Sequence, residues 1–177
     1  MVFSSPIFLF VFLPLVILLT YLVGKRFKNI LLLVASLLFY SWGSVSHLGL
    51  FLFSIVFNYF AGRLIEGKEE SRARLYLAIS VTVNLGLLVY FKYFNFFLEN
   101  ISWLKVKLFG TPVVFEAVGL PIGISFFTFH ALSYVIDVYR KKVVAQKNVL
   151  DLALYISFFP QLIAGPISSI HRCGRPV

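Results

Sequence analysis

The sequence predicts an all-α, polytopic transmembrane protein built from about six spanning helices. Three observations carry that reading. Hydrophobic residues form 60% of the 177-residue chain and charged residues 13%, with a mean hydropathy of +0.93; a soluble domain is about half apolar and a quarter charged. A chain of this length could not hide its 21 Phe and its many leucines in one aqueous core. Uncharged runs close to the ~20 residues of a bilayer crossing recur, with short basic clusters between them.

The first run is 7–23. Pro14 removes one backbone hydrogen bond there, which membrane helices tolerate when neighbours satisfy the freed carbonyl. No basic segment precedes the run, so it reads as a retained helix rather than a cleaved leader, and Val2 excludes the usual myristoylation signal. Lys25, Arg26 and Lys28 end it. Residues 29–62 carry no formal charge, and one helix of that length would be about 50 Å long, well beyond a ~30 Å apolar core. A turn at 41–44, with Trp42 at the interface, divides the stretch into helices at 30–42 and 47–64. They form a hairpin of two spans or, alternatively, a re-entrant pair.

Residues 63–74 form a charged, solvated loop. The run 75–91 is the next span, and 93–108 reads as a separate amphipathic helix lying at the interface, anchored by Trp103. Residues 120–138 and 149–166 complete the set. Neither a repeat nor a low-complexity linker divides the chain.

The net charge of +9 would suggest nucleic acid in a soluble protein. Here the basic residues cluster between apolar runs, as topology signals and contacts for membrane lipid. Base stacking needs aromatic residues in a wet basic groove, so no nucleic acid partner is expected. Segments 24–29, 63–74 and 139–148 hold eleven of the sixteen Lys and Arg residues. Placing all three in the cytoplasm puts the N-terminus outside and gives six crossings. The single Cys173 cannot form an internal disulfide.

Polar groups at membrane depth face a bundle interior or a wet cavity. Asn58 and Asn84 read as hydrogen-bonding glue between helices, the alternative being the lining of a substrate path. His130, central in its run, is a neutral imidazole bonded to a neighbouring helix or, alternatively, a proton acceptor. His47 and His171 are expected to be solvated. Asp137 and Arg140 stand at i,i+3 spacing, which allows an ion pair at the end of the fifth run. No metal-ligand spacing, phosphate-cradling glycine loop or nucleophile elbow is present.

From Val2 to Ile167 the chain resembles the membrane-bound O-acyltransferase (MBOAT) family, in the branch that O-acetylates exported polysaccharide such as alginate. The resemblance rests on the opening Val2-Phe3-Ser4-Ser5-Pro6, on Ser36-Leu37-Leu38-Phe39-Tyr40-Ser41-Trp42-Gly43, on Asn58-Tyr59-Phe60-Ala61-Gly62 and on Phe91-Lys92-Tyr93-Phe94-Asn95-Phe96-Phe97. Two later motifs are the most specific. They are Leu120-Pro121-Ile122-Gly123-Ile124-Ser125-Phe126-Phe127-Thr128-Phe129, running on to Asp137-Val138-Tyr139-Arg140, and Phe158-Phe159-Pro160-Gln161-Leu162-Ile163-Ala164-Gly165-Pro166-Ile167. Pro121 and Gly123 open one segment, while Pro160, Gly165 and Pro166 interrupt another; broken helices are tolerated where they line a cavity or lie buried in protein.

The resemblance implies transfer of an acetyl group to a hydroxyl of an extracytoplasmic polysaccharide, in a bacterial inner membrane. It implies an acyl donor such as acetyl-CoA or another acyl thioester, no bound cofactor, no metal, and other proteins of the acetylation machinery as partners. Asn58, Asn84, Pro121, Gly123, Ser125, Asp137, Arg140, Pro160, Gln161, Gly165 and Pro166 are implied tunnel or scaffold residues. The family's general-base histidine belongs beyond the Pro-Gln-Leu-Ile-Ala-Gly-Pro motif, and neither His130 nor His171 matches its position. Residues 1–167 are thus expected to be the N-terminal part of an MBOAT bundle, inactive alone, with His130 the sole weak catalytic candidate. The polar tail 168–177 departs from the pattern, as a truncation or frameshift would make it. The alternatives are a peptidoglycan or teichoic acid O-acyltransferase of the same family and a non-catalytic membrane scaffold or pore component.

Overall fold

The computed structural model describes residues 5–24, 27–109 and 119–160. Among these the chain forms α1 (Leu13–Leu22), α2 (Lys28–Ser44), α3 (Leu48–Ile65), α4 (Glu70–Phe109), α5 (Ile124–Tyr139) and α6 (Val149–Ser157). The fold is helical and membrane-type, as the composition requires. Large apolar side chains point outward on α1 to α4, for example Leu22 at 72% exposure and Trp42 at 70%, an inversion of the soluble pattern that lipid contact explains. The segments Val45–Ile65 and Glu70–Lys107 are long and apolar enough to cross a membrane, whereas Phe8–Leu22, Lys28–Gly43 and Ile124–Tyr139 are shorter apolar helices.

Pro14 is absorbed at the start of α1. A π-helical turn, Phe8–Phe12, precedes it and closes with Leu13 N–H donating to the Phe8 carbonyl. Widening the helix there makes room for a ring that supplies no N–H of its own. The division of the long uncharged stretch falls slightly later than expected. Residues 41–44 remain helical, and a single 3-10 turn, Val45–His47, joins α2 to α3. Tyr40 and Phe51 stack across this joint at 4.3 Å between ring centroids.

Two boundaries differ from the sequence reading. The expected loop 63–74 contracts to residues 66–69, because α3 runs on to Ile65 and α4 begins at Glu70. The expected break near Lys92 does not occur: α4 is one helix of 40 residues. Between Leu87 and Phe109 there is neither Pro nor Gly, so nothing stops propagation once the apolar part has formed. At ~1.5 Å per residue α4 is about 60 Å long, twice the thickness of a bilayer core. Trp103 lies in its distal part, with the Lys107 ammonium 5.0 Å from the ring centroid.

α5 starts at Ile124 rather than at 120. Gly123 precedes it at φ +70°, a left-handed conformation that glycine adopts without steric cost. The backbone N–H groups of Ile124 and Phe127 donate to the carbonyls of Pro121 and Gly123. α6 opens on Asn148, whose side chain accepts from Leu150 N–H at 3.0 Å. It ends at Ser157; the rest of the expected 149–166 span beyond Pro160 lies outside the described residues.

α5 packs on α3 and α4, and α6 packs on α2 and α3. The principal core joins Phe51, Ile55, Phe127, Tyr134, Leu152 and Ile156, all fully or nearly fully buried. A second core is aromatic: Phe8, Phe39 and Phe159 meet edge-on or tilted at 5.3 to 6.0 Å.

One end of the bundle gathers the basic segments. Asn29 at the start of α2 donates to Asp151 at the start of α6, at 3.3 Å. The Tyr59 hydroxyl near the end of α3 donates to the Lys147 carbonyl at 2.9 Å, and the start of α4 and the end of α5 line one cavity through Glu70, Ala73, Val138 and Tyr139. α2 therefore leaves this end and α3 returns to it. Segments 63–74 and 139–148 lie side by side, as the positive-inside reading requires.

Candidate functional site

The interior polar groups fall into separate sets. The first joins α3 to α4. Ser54 and Asn58 on α3, and Ser80 and Asn84 on α4, repeat one spacing, Ser-x-x-x-Asn, and all four are buried. The two amides bond reciprocally: Asn58 Nδ2 donates to Asn84 Oδ1 at 3.0 Å, and Asn84 Nδ2 donates to Asn58 Oδ1 at 2.8 Å. Each amide also donates to the serine carbonyl one turn back, at 2.8 Å in both helices. The Ser80 hydroxyl adds a bond to Asn58 Oδ1 at 3.3 Å. Each amide thereby donates and accepts across the helix pair, as a clasp between α3 and α4 requires.

The second set is His130 on α5, 1% exposed. Its Nδ1 lies 2.8 Å from the Phe126 carbonyl. A carbonyl only accepts, so Nδ1 carries the proton and Nε2 keeps its lone pair. Nε2 has no hydrogen-bond partner among the described residues, and the Tyr155 ring stands edge-on to the imidazole at 5.8 Å. The expected bond to a neighbouring helix is instead a bond within α5, because the carbonyl four residues back is the nearest acceptor. The hydroxyls of Tyr40 and Ser157 are likewise buried and unpartnered.

The remaining candidates are dispersed. Pro121 is buried at the entry to α5, with Gly123 and Ser125 half-buried behind it. Pro160, also half-buried, follows Phe159, whose N–H donates to Ser36 Oγ at 3.3 Å. Asp137 and Arg140 form no ion pair, in contrast to the expectation from their spacing; the salt bridges among the described residues are Arg63–Glu66 and Arg74–Glu70. α5 ends at Tyr139, the chain turns through Lys141 at φ +55°, and Arg140 is exposed where water competes for it. Gln161, Gly165, Pro166 and His171 lie outside the described residues.

Sequence reasoning missed Ser54 and Ser80, although the doubled Ser-x-x-x-Asn spacing was there to be read. It also missed Gly62. A Cβ at that position would lie 2.5 Å from the Tyr134 hydroxyl, and this hydroxyl accepts from Gln146 N–H at 3.1 Å. Neither partner is near Gly62 in sequence, so no local signal pointed to it.

Fold and interior together define a multi-pass helical membrane protein whose spans are clasped by buried polar side chains. Comparison with known proteins narrows the class. The chain is 46% identical over 169 residues to the Pseudomonas aeruginosa protein named "Probable alginate O-acetylase AlgI", covering 94% of this chain and 32% of that one. Its counterpart in Pseudomonas syringae pv. tomato is 44% identical over 169 residues, with 94% and 33% covered. A Peptidoglycan O-acetyltransferase of Helicobacter pylori is 34% identical over 197 residues, with 94% and 37% covered. The resemblance to the membrane-bound O-acyltransferases, in their alginate O-acetylase branch, therefore holds over 94% of the chain, while the chain spans about a third of the length of these curated relatives. No protein-family model and no solved structure matches it.

Proposed function

We propose that this chain is the scaffold-forming N-terminal part of a membrane O-acyltransferase that places acetyl groups on hydroxyls of an exported polysaccharide such as alginate. The observation that carries the reading is the 44–46% identity to the alginate O-acetylases of Pseudomonas syringae and Pseudomonas aeruginosa across nearly the whole chain. An acyl thioester such as acetyl-CoA is the donor, and other proteins of the acetylation machinery complete the system. The membrane is the bacterial inner membrane, with the basic loops in the cytoplasm and the N-terminus outside.

In this reading Asn58 and Asn84 hold α3 against α4, and Pro121, Gly123 and Ser125 set where α5 begins. Pro160, Gln161, Gly165 and Pro166 interrupt the helix that follows. None of them moves a proton in the reaction. The general-base histidine that the family resemblance implies falls outside the matched motifs, so the chain alone is inactive. His130 is a packing residue, in keeping with its bond to the Phe126 carbonyl.

A chimera tests this. The chain replaces the matching third of the Pseudomonas aeruginosa relative in an alginate-producing strain lacking that relative, and ester-linked acetate on the secreted polymer is measured. The chimera restores acetylation, and the chain alone does not. A membrane-inserted, folded chimera that leaves the polymer unacetylated contradicts the proposal. Acetylation of peptidoglycan by the chimera would instead favour the acceptor named for the Helicobacter pylori relative.

A further inference from the structure

We propose that the groove between α1 and α2 is a binding site for an anionic phospholipid, with one acyl chain lying along α1 and the phosphate meeting Lys28. The inference does not depend on the acyltransferase reading. The groove measures about 540 Å³, and its walls follow helical spacing. Leu13, Val16, Ile17, Thr20 and Tyr21 stand at i, i+3, i+4, i+7 and i+8, one whole face of α1. Lys28 and Leu32, one turn apart, form the α2 wall, and Phe159 with Pro160 forms the third. From Leu13 to Tyr21 the groove runs about 12 Å along the axis of α1.

Shape and polarity select a hydrocarbon tail. The Thr20 hydroxyl turns back and donates to the Val16 carbonyl at 2.7 Å, so its proton is not offered to the groove. Ile17 and Tyr21 are 49% and 82% exposed, surface that the neighbouring helices leave uncovered. A tail seated there touches protein on three sides and gains more dispersion contact than a tail against a convex helix face.

Charge selects the head. Among the described residues Lys28 is the one charged side chain of the walls, and it is half-buried. It forms no ion pair among them: the salt bridges are Arg63–Glu66 and Arg74–Glu70, and Asp151, which reaches this end of α2, accepts from Asn29. Lys28 opens α2, and Tyr21 lies one residue from the end of α1. Both therefore stand at the basic end of the bundle, the level where lysine and tyrosine meet lipid headgroups. The ammonium need only reach the rim, because a lysine stem lies along apolar surface and carries its charge outward. An anion joined to a long apolar chain, at a membrane surface, is an acidic phospholipid.

The test uses the full chain in nanodiscs of mixed phosphatidylglycerol and phosphatidylcholine, with the lipid retained after release into detergent read by native mass spectrometry. The parent retains phosphatidylglycerol in preference to phosphatidylcholine. Lys28→Gln lowers that retention about fivefold, whereas Lys28→Arg keeps it. Ile17→Trp fills the groove and loses the bound lipid. Leu18→Trp, its exposed neighbour outside the groove, keeps it. Thermal unfolding in detergent checks each variant against the parent; where Ile17→Trp unfolds earlier, Thr20→Phe fills the same groove from the next turn and takes its place. No preference for phosphatidylglycerol in the parent, or retention unchanged by Lys28→Gln or by the groove-filling substitution, overturns the site. A loss from Leu18→Trp equal to that from Ile17→Trp overturns it as well.

Discussion

The two halves of α4 form one continuous helix yet live in different physical regimes. In the first half Ala73, Ser80, Asn84 and Leu88 are buried, a stripe of mostly small or polar residues at helical spacing. From Lys92 to Lys107 no described residue is buried. Helix continuity and helix packing thus have separate causes. Continuity needs only the absence of a breaker, whereas packing needs small or hydrogen-bonding side chains that repeat on one face. Membrane segments gain little from apolar burial against one another, since lipid is as apolar as leucine, and the distal half offers no such stripe.

Substitutions break or sharpen this contrast. The largest effect is expected from Val83→Pro, beside the clasp, which removes a backbone hydrogen bond at the packed centre and costs about 3 kcal/mol or more. Ile101→Pro in the distal half interrupts the helix but leaves the unfolding of the core unchanged. Denaturant titration in mixed micelles, followed by circular dichroism, separates the two outcomes. Next comes Asn58→Leu, which strands the Asn84 amide in a dry interior and costs about 1–3 kcal/mol. The double variant Asn58→Leu with Asn84→Leu strands no partner amide and falls short of the sum of the two single losses.

Gly62→Ala is expected to cost about 1–3 kcal/mol, because the new methyl group meets the Tyr134 ring. Adding Tyr134→Phe removes the nearest atom and recovers part of the loss. At the small end, Phe96→Ala in the distal half changes stability by less than about 0.5 kcal/mol. A loss there as large as that of Asn58→Leu would show that the distal half is packed after all.

Much of this was legible in the residues. The basic clusters around Lys28, Lys68 and Lys141 marked segments that share one end, because charge is costly in lipid and topology follows its distribution. Asn58 and Asn84 announced themselves as polar groups in apolar runs that must find partners. The run-on of α4 was harder to see: a change from apolar to mixed composition resembles a boundary, while the backbone responds only to breakers. The pairing of Asp137 with Arg140 failed for a related reason, since i,i+3 spacing brings side chains together only while the helix lasts and water stays away. Contacts such as Gly62 with Tyr134 join residues remote in sequence, and only packing reveals them.

The arrangement rests on the shared end of the basic segments, and cysteine accessibility in intact membrane vesicles tests it directly. In a Cys173→Ser background, Lys68→Cys and Val144→Cys react with a membrane-impermeant maleimide from the same face, and Val106→Cys, on the far part of α4, reacts from the opposite one. Labelling of Lys68→Cys and Val144→Cys from opposite faces would contradict the fold and remove its support for the transferase reading.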